Sequence, residues 1–259
     1  MLKFPSTNTK ASGALCKEIA RRSNGVCFLG FSRGKDSLCS WLQLRRYFKT
    51  IIPFHCADIP RLEYAEQSLK YYEYEFDTHI LRMQSPMVYK DMKRLVFQLP
   101  EDEEFIDDWD VPIVDDDLSE VVNFLRKLYG FPNAYCAFGI NASDSLQRRI
   151  QVMQRCGVSS KSKHFYPCFD WSHEQIISTV EESGLKVAPE YQFGNRTVGG
   201  FPSVRWLEPM KEHYPNDFEK IRERFPLCWG AVARMEFRRE ANERKEKSGK
   251  LSSISNNNG

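Results

Sequence analysis

One feature constrains this chain more than any other: an apolar run passes through a short polar turn directly into a helical pattern. The apolar run covers residues 26–31, and the turn reads Ser-Arg-Gly-Lys-Asp-Ser at residues 32–37. A buried strand followed at once by a helix is the unit from which parallel α/β sheets are built. The apolar positions of the expected helix recur at helical spacing and are Leu38, Trp41, Leu42 and Phe48.

The residues of this turn suit a phosphate group. A strand that turns through Gly34 into a helix directs free backbone N–H groups to one point, where the helix N-terminus adds positive potential. Lys35 adds a mobile positive charge, and Ser32 and Ser37 offer hydroxyl donors. Asp36 can hold a Mg²⁺ ion that bridges phosphates. The turn therefore predicts a phosphate site, with Lys35 and Asp36 as candidate catalytic residues.

The turn is not a Walker A loop, because the spacing from Gly30 is one residue short and Asp36 stands where Ser or Thr is needed. It resembles instead the pyrophosphate loop, S-G-G-x-D-S, of the PP-loop nucleotide α-hydrolase superfamily. Arg33 stands where that superfamily usually has Gly, which removes φ freedom but adds a guanidinium beside the expected phosphate. The matching positions are Ser32, Gly34, Asp36 and Ser37.

The rest of the chain alternates between strand-like and helical patterns. This alternation predicts an α/β fold with a mostly parallel sheet and helices on both faces. In such sheets ligands bind beyond the carboxyl ends of the strands. The predicted strands are residues 26–31, 50–58, 78–82 and 134–140, and the predicted helices are about 11–22, 37–48, 61–75, 86–98, 117–129, one from near 144, 173–184 and 216–239.

Two later segments resemble the 3′-phosphoadenosine 5′-phosphosulfate (PAPS) reductase family, a branch of the same superfamily. Residues 139–149 resemble G-I-R-x-x-[DE]-S-x-x-R, with Asn141 in place of Arg, and residues 166–172 resemble P-[IL]-x-D-W-[ST]. Asp58 stands where family members carry an Asp near the adenosine. The resemblance covers about residues 24–186 and implies an adenine-nucleotide site. It also implies a second anion or substrate site at Gly139, Asp144, Ser145, Arg148 and Arg149.

The cysteines separate this chain from the reductases that it resembles. Those enzymes carry a catalytic Cys in a C-terminal Glu-Cys-Gly-x-His segment, whereas Cys228 lies between Leu227 and Trp229 and is expected to be packing. No two of the eight cysteines form a C-x-x-C pair, so we expect neither an iron–sulfur cluster nor zinc. The pattern is typical of reduced thiols in a cytoplasmic protein.

Three functions remain open at this point. The loop can hold the phosphates of ATP, with Mg²⁺, while an unknown acceptor attacks the α-phosphorus, as in a transferase of adenylyl or sulfur groups in sulfur metabolism. A sulfonucleotide such as PAPS can occupy the same site, as in the reductases. Alternatively, the chain is a non-catalytic nucleotide-binding subunit with a regulatory or assembly role. The intact loop favours an enzyme, and the missing C-terminal cysteines favour the subunit.

The chain has 259 residues, enough for one large domain with an extension. We expect a PP-loop nucleotide-binding domain at 1–186 and a family-specific extension at 187–239 that offers a surface for a protein partner or a second copy. A charged, Ser/Asn-rich flexible tail is expected at 240–259, and a solvated loop at the acidic residues 101–117. No apolar run reaches the roughly 20 residues of a membrane span, and the first residues lack a signal-peptide core. We therefore expect a cytoplasmic protein without membrane contact.

Overall fold

The computed structural model describes residues 10–108, 117–142, 146–154, 156–194 and 204–255. These residues form an α/β fold with one six-stranded sheet. In chain order the elements are α1 (Lys10–Arg22), β1 (Val26–Gly30), α2 (Lys35–Leu44), β2 (Thr50–Ala57), α3 (Glu63–Phe76), β3 (Leu81–Gln84), α4 (Met87–Lys93), a 3-10 turn (Pro100–Asp102), α5 (Glu103–Asp107), α6 (Asp117–Tyr129), β4 (Tyr135–Phe138), α7 (Leu146–Gln154), β5 (Val158–Ser159), β6 (His164–Phe165), α8 (His173–Ser183), α9 (Tyr191–Gly194), α10 (Val204–His213), α11 (Pro215–Arg224) and α12 (Cys228–Ser255).

The chain forms two compact units. The first contains Met1–Met87 and Pro112–Thr197 and holds the whole sheet. The second contains Val88–Val111 and Val198–Gly259, and its described residues are helical apart from their connections. Residues 88–111 thus belong to the second unit, although they lie inside the stretch expected to form the nucleotide-binding domain.

The strand order of the sheet is β3-β2-β1-β4-β6-β5, and only the β5–β6 pair is antiparallel. The chain moves outward from β1 through β2 to β3, and then continues on the other side of β1 with β4. The strand order therefore reverses between β1 and β4. At a reversal of this kind the connections leave a crevice at the carboxyl ends of the strands.

Side chains of β1 point alternately to the two faces of the sheet, because successive residues of a strand face opposite sides. Leu29 packs in the larger core with helices α1, α2, α3 and α8, while Phe28 packs in a smaller core with α6. Both strand residues are fully buried, which fixes β1 at the centre of the fold. The larger core includes Leu38, Trp41, Leu42, Tyr72, Phe76 and Phe165, and the smaller core includes Phe54, Val122, Leu125 and Cys136.

Helix α8 begins and ends where the sequence predicts. The Ser172 hydroxyl accepts the Gln175 amide N–H at 3.2 Å, and the Gln175 side chain accepts the Ser172 amide N–H at 2.8 Å. This reciprocal capping box satisfies two N–H groups that the first turn of a helix leaves without partners. The helix ends at Gly184, whose φ of 74° is a left-handed conformation that glycine adopts without strain.

Helix α7 forms as expected, but the prediction of its buried face is wrong. The helical spacing of Leu146, Ile150 and Met153 predicts that they form its inner face, but they are 72%, 48% and 50% exposed. Val152, on a different face of the helix, is buried instead. Helical spacing identifies an apolar face, but it carries no information about which neighbour covers that face.

The second unit also departs from the helices predicted in it. The expected helix at 216–239 is divided into α11 and α12, because Phe225 precedes Pro226 and a residue before proline is driven out of the α region. The expected helix at 86–98 ends at Lys93, and Leu95 and Phe97 beyond it have positive φ angles.

Parts of two segments expected to be irregular are helical. The acidic segment forms the 3-10 turn and α5 over residues 100–107, and residues 109–116 lie outside the described part of the chain. Helix α12 continues to Ser255, well into the segment expected to be a flexible tail. Among the described residues no helix is both long and apolar enough to cross a membrane.

Candidate functional site

Residues predicted from three separate segments lie at one edge of the sheet. Ser32 follows β1, Asp58 follows β2 and Gly139 follows β4, and these three strands are parallel neighbours. Gly30 and Phe138, the last residues of β1 and β4, are paired, so these two strand ends are aligned. On the other side Gly30 is paired with Phe54, and β2 continues three residues further, to Ala57. The parallel register therefore brings the three positions to the edge where the strand order reverses.

Gly139 allows the end of β4 to approach the loop very closely. A Cβ atom at this position would lie 2.7 Å from the amide nitrogen of Ser37 and 2.8 Å from the carbonyl carbon of Asp36. Such contacts are too short for any side chain, so only glycine permits this approach. Gly139 thus has a packing role against the first turn of α2, in addition to the role in a second anion site that the resemblance implies.

The residue just before the loop is anchored by aromatic packing and by two hydrogen bonds. The Phe31 ring packs edge-on against Tyr72 and Phe76, with ring centres 5.2 and 5.5 Å apart. Its N–H donates to the Phe54 carbonyl, and its own carbonyl lies 2.8 Å from Nδ1 of His55. The loop therefore starts from a rigid point in the core.

Serine hydroxyls close the loop on itself. The Ser37 hydroxyl donates to the Gly34 carbonyl at 2.8 Å, and the Ser32 hydroxyl lies 3.3 Å from that of Ser37. Gly34 is the N-cap of α2, and no side chain caps this helix. The first turn of α2 therefore presents backbone N–H groups and the positive end of the helix dipole at the sheet edge.

Lys35 and Asp36 form an ion pair at the start of α2. The Lys35 ammonium lies 3.0 and 2.8 Å from the two carboxylate oxygens of Asp36, and both side chains are partly exposed. An acidic side chain in the first turn is favourable because it faces the positive end of the helix dipole. The Lys35 ammonium and the Asp36 carboxylate are therefore paired with each other at the position where the sequence predicts a phosphate.

Arg33 makes a different contact from the one that its position suggested. Its φ of 68° is left-handed, a conformation that costs a non-glycine residue roughly 1–2 kcal/mol. The guanidinium was expected beside a phosphate, but it is buried and bonded to the Glu190 carboxylate at 2.6 and 3.2 Å. It also donates to the Ser68 hydroxyl and lies over the Tyr64 ring. A buried cation needs such an anion, and Glu190 supplies it.

Glu190 and Tyr191 are site residues that the sequence did not reveal. Next to the buried pair, the amide N–H of Lys35 donates to the Tyr191 hydroxyl at 3.0 Å. A charged residue in place of glycine in a buried turn is a signal that a carboxylate lies nearby. That signal does not identify the partner, because Glu190 is 157 residues away from Arg33 along the chain.

His55 is a second neighbour of the loop that the sequence did not single out. Burial, reinforced by the positive charge of Arg33, lowers the pKa of His55 from 6.5 to about 4. The imidazole is therefore neutral at pH 7. Because the Phe31 carbonyl can only accept, Nδ1 of His55 carries the proton and donates it to that oxygen.

The two later segments of the family resemblance are joined by side-chain bonds. The Asn141 amide donates to the carbonyls of Cys168 and Trp171 at 3.2 and 2.9 Å. Trp171 and Asp170 in turn contact Ser12 at the start of the fold, through Nε1 of the indole and a carboxylate oxygen. The amide nitrogen of Asn141 thus joins the two segments, which gives this residue a structural role at the position where the family usually has Arg.

Part of the predicted second anion site lies outside the described residues. Asp144 and Ser145 are in this part, and of Arg148 only the backbone, in α7, is described. Nε of Arg149 lies 3.4 Å from the Ala142 carbonyl. The anion contact of these residues and the adenosine contact of Asp58 remain predictions.

Asp36 provides the one predicted metal ligand of the loop. In the described ranges no three His, Cys, Asp or Glu side chains are grouped so that they could hold a metal ion. Mg²⁺ commonly binds through one or two carboxylates together with the phosphates of its nucleotide. Asp36 therefore fits Mg²⁺ only in company with a phosphorylated ligand.

Comparisons with known proteins find similarity to solved structures but none to a family model or a curated sequence. Among solved structures, NH3-dependent NAD synthetase from Campylobacter jejuni subsp. jejuni NCTC 11168, in complex with the nitrate ion, is similar with a TM-score of 0.42 and 12% sequence identity. The match covers 88% of this chain and 94% of that one.

Replacing Gly139 with Ala is expected to displace the loop. The added methyl group meets backbone atoms of Asp36 and Ser37, which cannot turn aside as a side chain can. We expect a loss of about 1–3 kcal/mol in the free energy of unfolding, measured in urea. Gly230→Ala is the matched control, because in the described part of the chain no atom beyond the local turns of its own helix lies within 4 Å of the methyl group added there. Equal stability of the Gly139 variant and the wild type would contradict the close approach.

His55 is expected to make stability fall with acid. Its pKa is about 4 in the folded protein, against an ordinary value of 6.5, so below pH 6.5 the unfolded chain takes up the proton first. Stability is complete above pH 6.5 and falls towards pH 4, by about 2–3 kcal/mol between pH 7 and about pH 4.5. His55→Asn, which keeps a donor for the Phe31 carbonyl, should lose this pH-dependent part of the stability. His173→Asn, at the exposed first residue of α8, should keep it. Identical pH profiles of wild type and His55→Asn would contradict the assignment.

Proposed function

We propose that the chain binds ATP at residues 32–37 and transfers its adenylyl group to an acceptor, with release of pyrophosphate. The position of the loop carries this proposal. The loop connects β1 to α2 at the point where the strand order reverses, and it lies against Gly139 of the neighbouring strand. Nucleotides of open α/β sheets bind at such points. The resemblance of the loop to the PP-loop superfamily supports the same ligand.

The first turn of α2 and the side chains of Lys35 and Asp36 have roles in holding the phosphates. The first N–H groups of α2 and the ammonium of Lys35 bind phosphate oxygens, because both supply positive charge at the same point. Asp36 would hold Mg²⁺ together with the phosphates, where a bound ion would neutralise part of their charge. Before the nucleotide binds, the ion pair between Lys35 and Asp36 keeps both side chains at the loop.

The reaction itself requires positioning more than covalent chemistry from the protein. A nucleophile of the acceptor forms a bond to the α-phosphorus, while the bond from that phosphorus to the bridging oxygen breaks. Pyrophosphate leaves with the electron pair of the broken bond, and its added charge is stabilised by Lys35 and by the N–H groups of α2. Transfer of sulfur to an adenylylated acceptor is one use of this chemistry.

The burial of Cys228 supports ATP rather than PAPS as the ligand. Reduction of a sulfonucleotide by the family mechanism needs a thiolate that can reach the sulfur. Cys228 is fully buried in the second unit, and burial raises the pKa of its thiol to about 11. The thiol is therefore protonated at neutral pH.

Lys35→Ala is expected to weaken ATP binding about 10- to 100-fold, because a hydrogen bond to a charged group is worth roughly 1.5–3 kcal/mol. The change lies on a partly exposed turn, so the melting temperature should stay close to that of the wild type. Calorimetric titration with ATP and Mg²⁺ measures the affinity. Lys17→Ala, on the exposed side of α1, is the control and should bind as the wild type does. If Lys35→Ala bound ATP with the same affinity as the wild type, the assignment of the loop as the phosphate site would be wrong.

Cys228→Ser is expected to leave pyrophosphate release from ATP unchanged at temperatures well below the melting transition. The assay is run with and without thiol, amine and carboxylate acceptors, since dependence on an acceptor separates a transferase from a subunit that only binds. Loss of activity in this variant, at an unchanged melting temperature, would show that the Cys228 thiol takes part in the reaction. That result would favour a mechanism like that of the sulfonucleotide reductases.

A further inference from the structure

The segment at residues 188–194 contacts the phosphate loop at two adjacent points. Glu190 holds the guanidinium of Arg33, and Tyr191 accepts the backbone N–H of Lys35 at 3.0 Å. Both contacts lie within the first unit. The segment is itself ordered by backbone bonds, from Tyr191 N–H to the Ala188 carbonyl and from Phe193 N–H to the Glu190 carbonyl.

The Tyr191 hydroxyl occupies a donor that a bound phosphate needs. Lys35 is the first residue of α2, and N–H groups of the first helical turn are those that bind phosphate oxygens. One N–H carries one proton, so a phosphate oxygen can take the bond fully only if the tyrosine oxygen gives it up. A phosphate oxygen carries negative charge and therefore forms a stronger hydrogen bond with the N–H than a hydroxyl oxygen does.

We propose that the Tyr191 hydroxyl is an internal competitor, which stands in for a phosphate oxygen at the Lys35 N–H and is displaced when a phosphorylated ligand binds. This inference rests on the proposed function of the loop. Ligands without a phosphate cannot compete for the N–H, so the hydroxyl lowers the affinity only of ligands that use this donor. A phosphate therefore binds at this N–H only if its own bond is stronger than the bond from the Lys35 N–H to the Tyr191 hydroxyl, which it replaces.

The Arg33–Glu190 pair keeps the competitor in place. Both side chains are buried, and Glu190 is covalently next to Tyr191, so the hydroxyl cannot move far from the loop. A group held in this way has a high effective concentration at its partner. Displacement can therefore occur by movement of Tyr191 while Glu190 stays bonded to Arg33.

Tyr191→Phe is expected to bind ATP and inorganic triphosphate about three- to tenfold more tightly than the wild type, as loss of one neutral hydrogen bond from the free state predicts. Tyr71→Phe is the matched control. The Tyr71 hydroxyl also accepts a backbone N–H, that of Lys186, but away from the loop, so its removal should leave both affinities unchanged. Calorimetric titration measures all three proteins, and a melting curve shows whether each variant is folded.

The outcomes distinguish this inference from the proposed function. Weaker binding by Tyr191→Phe would make the hydroxyl a direct ligand and overturn the inference, as would unchanged affinity, while the loop would remain the nucleotide site. If neither the wild type nor the variant bound ATP or triphosphate, the proposed function would fail and the inference with it. Hydrogen exchange gives a second test: ATP should speed exchange at the amides of Tyr191 and Phe193 and slow it at Lys35. Slower exchange at Tyr191 would contradict displacement.

Discussion

The buried ion pair between Arg33 and Glu190 is the interaction on which the rest of the site depends. It stabilises a left-handed residue at the turn from β1 to α2, and that turn sets the direction of the first helical N–H groups. Removing one partner of a buried pair leaves an uncompensated charge, at a cost of roughly 3–5 kcal/mol. A glycine would adopt this left-handed conformation without strain, whereas Arg33 is held in it by its contact with Glu190. The same contact holds the segment at 188–194 against the loop.

Two close approaches then complete the site around this turn. Gly139 lets β4 pack against the backbone of α2, and Phe31 fixes the end of β1 through the aromatic side chains of α3. As a result the loop is held from three sides before any ligand binds. A preformed cluster of N–H groups needs no rearrangement of its own to receive phosphate charge, which is the property that phosphoryl and adenylyl transfer demand.

The sequence predicts those parts of the structure that depend on neighbouring residues. The strand–turn–helix at 26–44 and the capping box of α8 follow from local spacing. The alternation of strand-like and helical patterns along the chain likewise predicts a mostly parallel sheet. The partner of Arg33 could not be predicted, because Glu190 reaches it only through the folded sheet. The exposure of the apolar face of α7 could not be predicted for the same reason. Ile150 and its neighbours have helical spacing, but their burial depends on which other elements pack against them. Pro226, in contrast, was a local signal that divides α11 from α12.

The N–H groups at residues 32–37 are the proposed binding site of the nucleotide phosphates. The most direct measurement is a titration of isotopically labelled protein, followed through its backbone amide resonances, with ATP and Mg²⁺, inorganic triphosphate and adenosine. Phosphate binding at the loop predicts that ATP and triphosphate move the amide resonances of Gly34 to Ser37 most strongly and in the same direction, and that adenosine leaves them in place. If ATP bound while these resonances stayed fixed and others moved, the loop would not be the phosphate site.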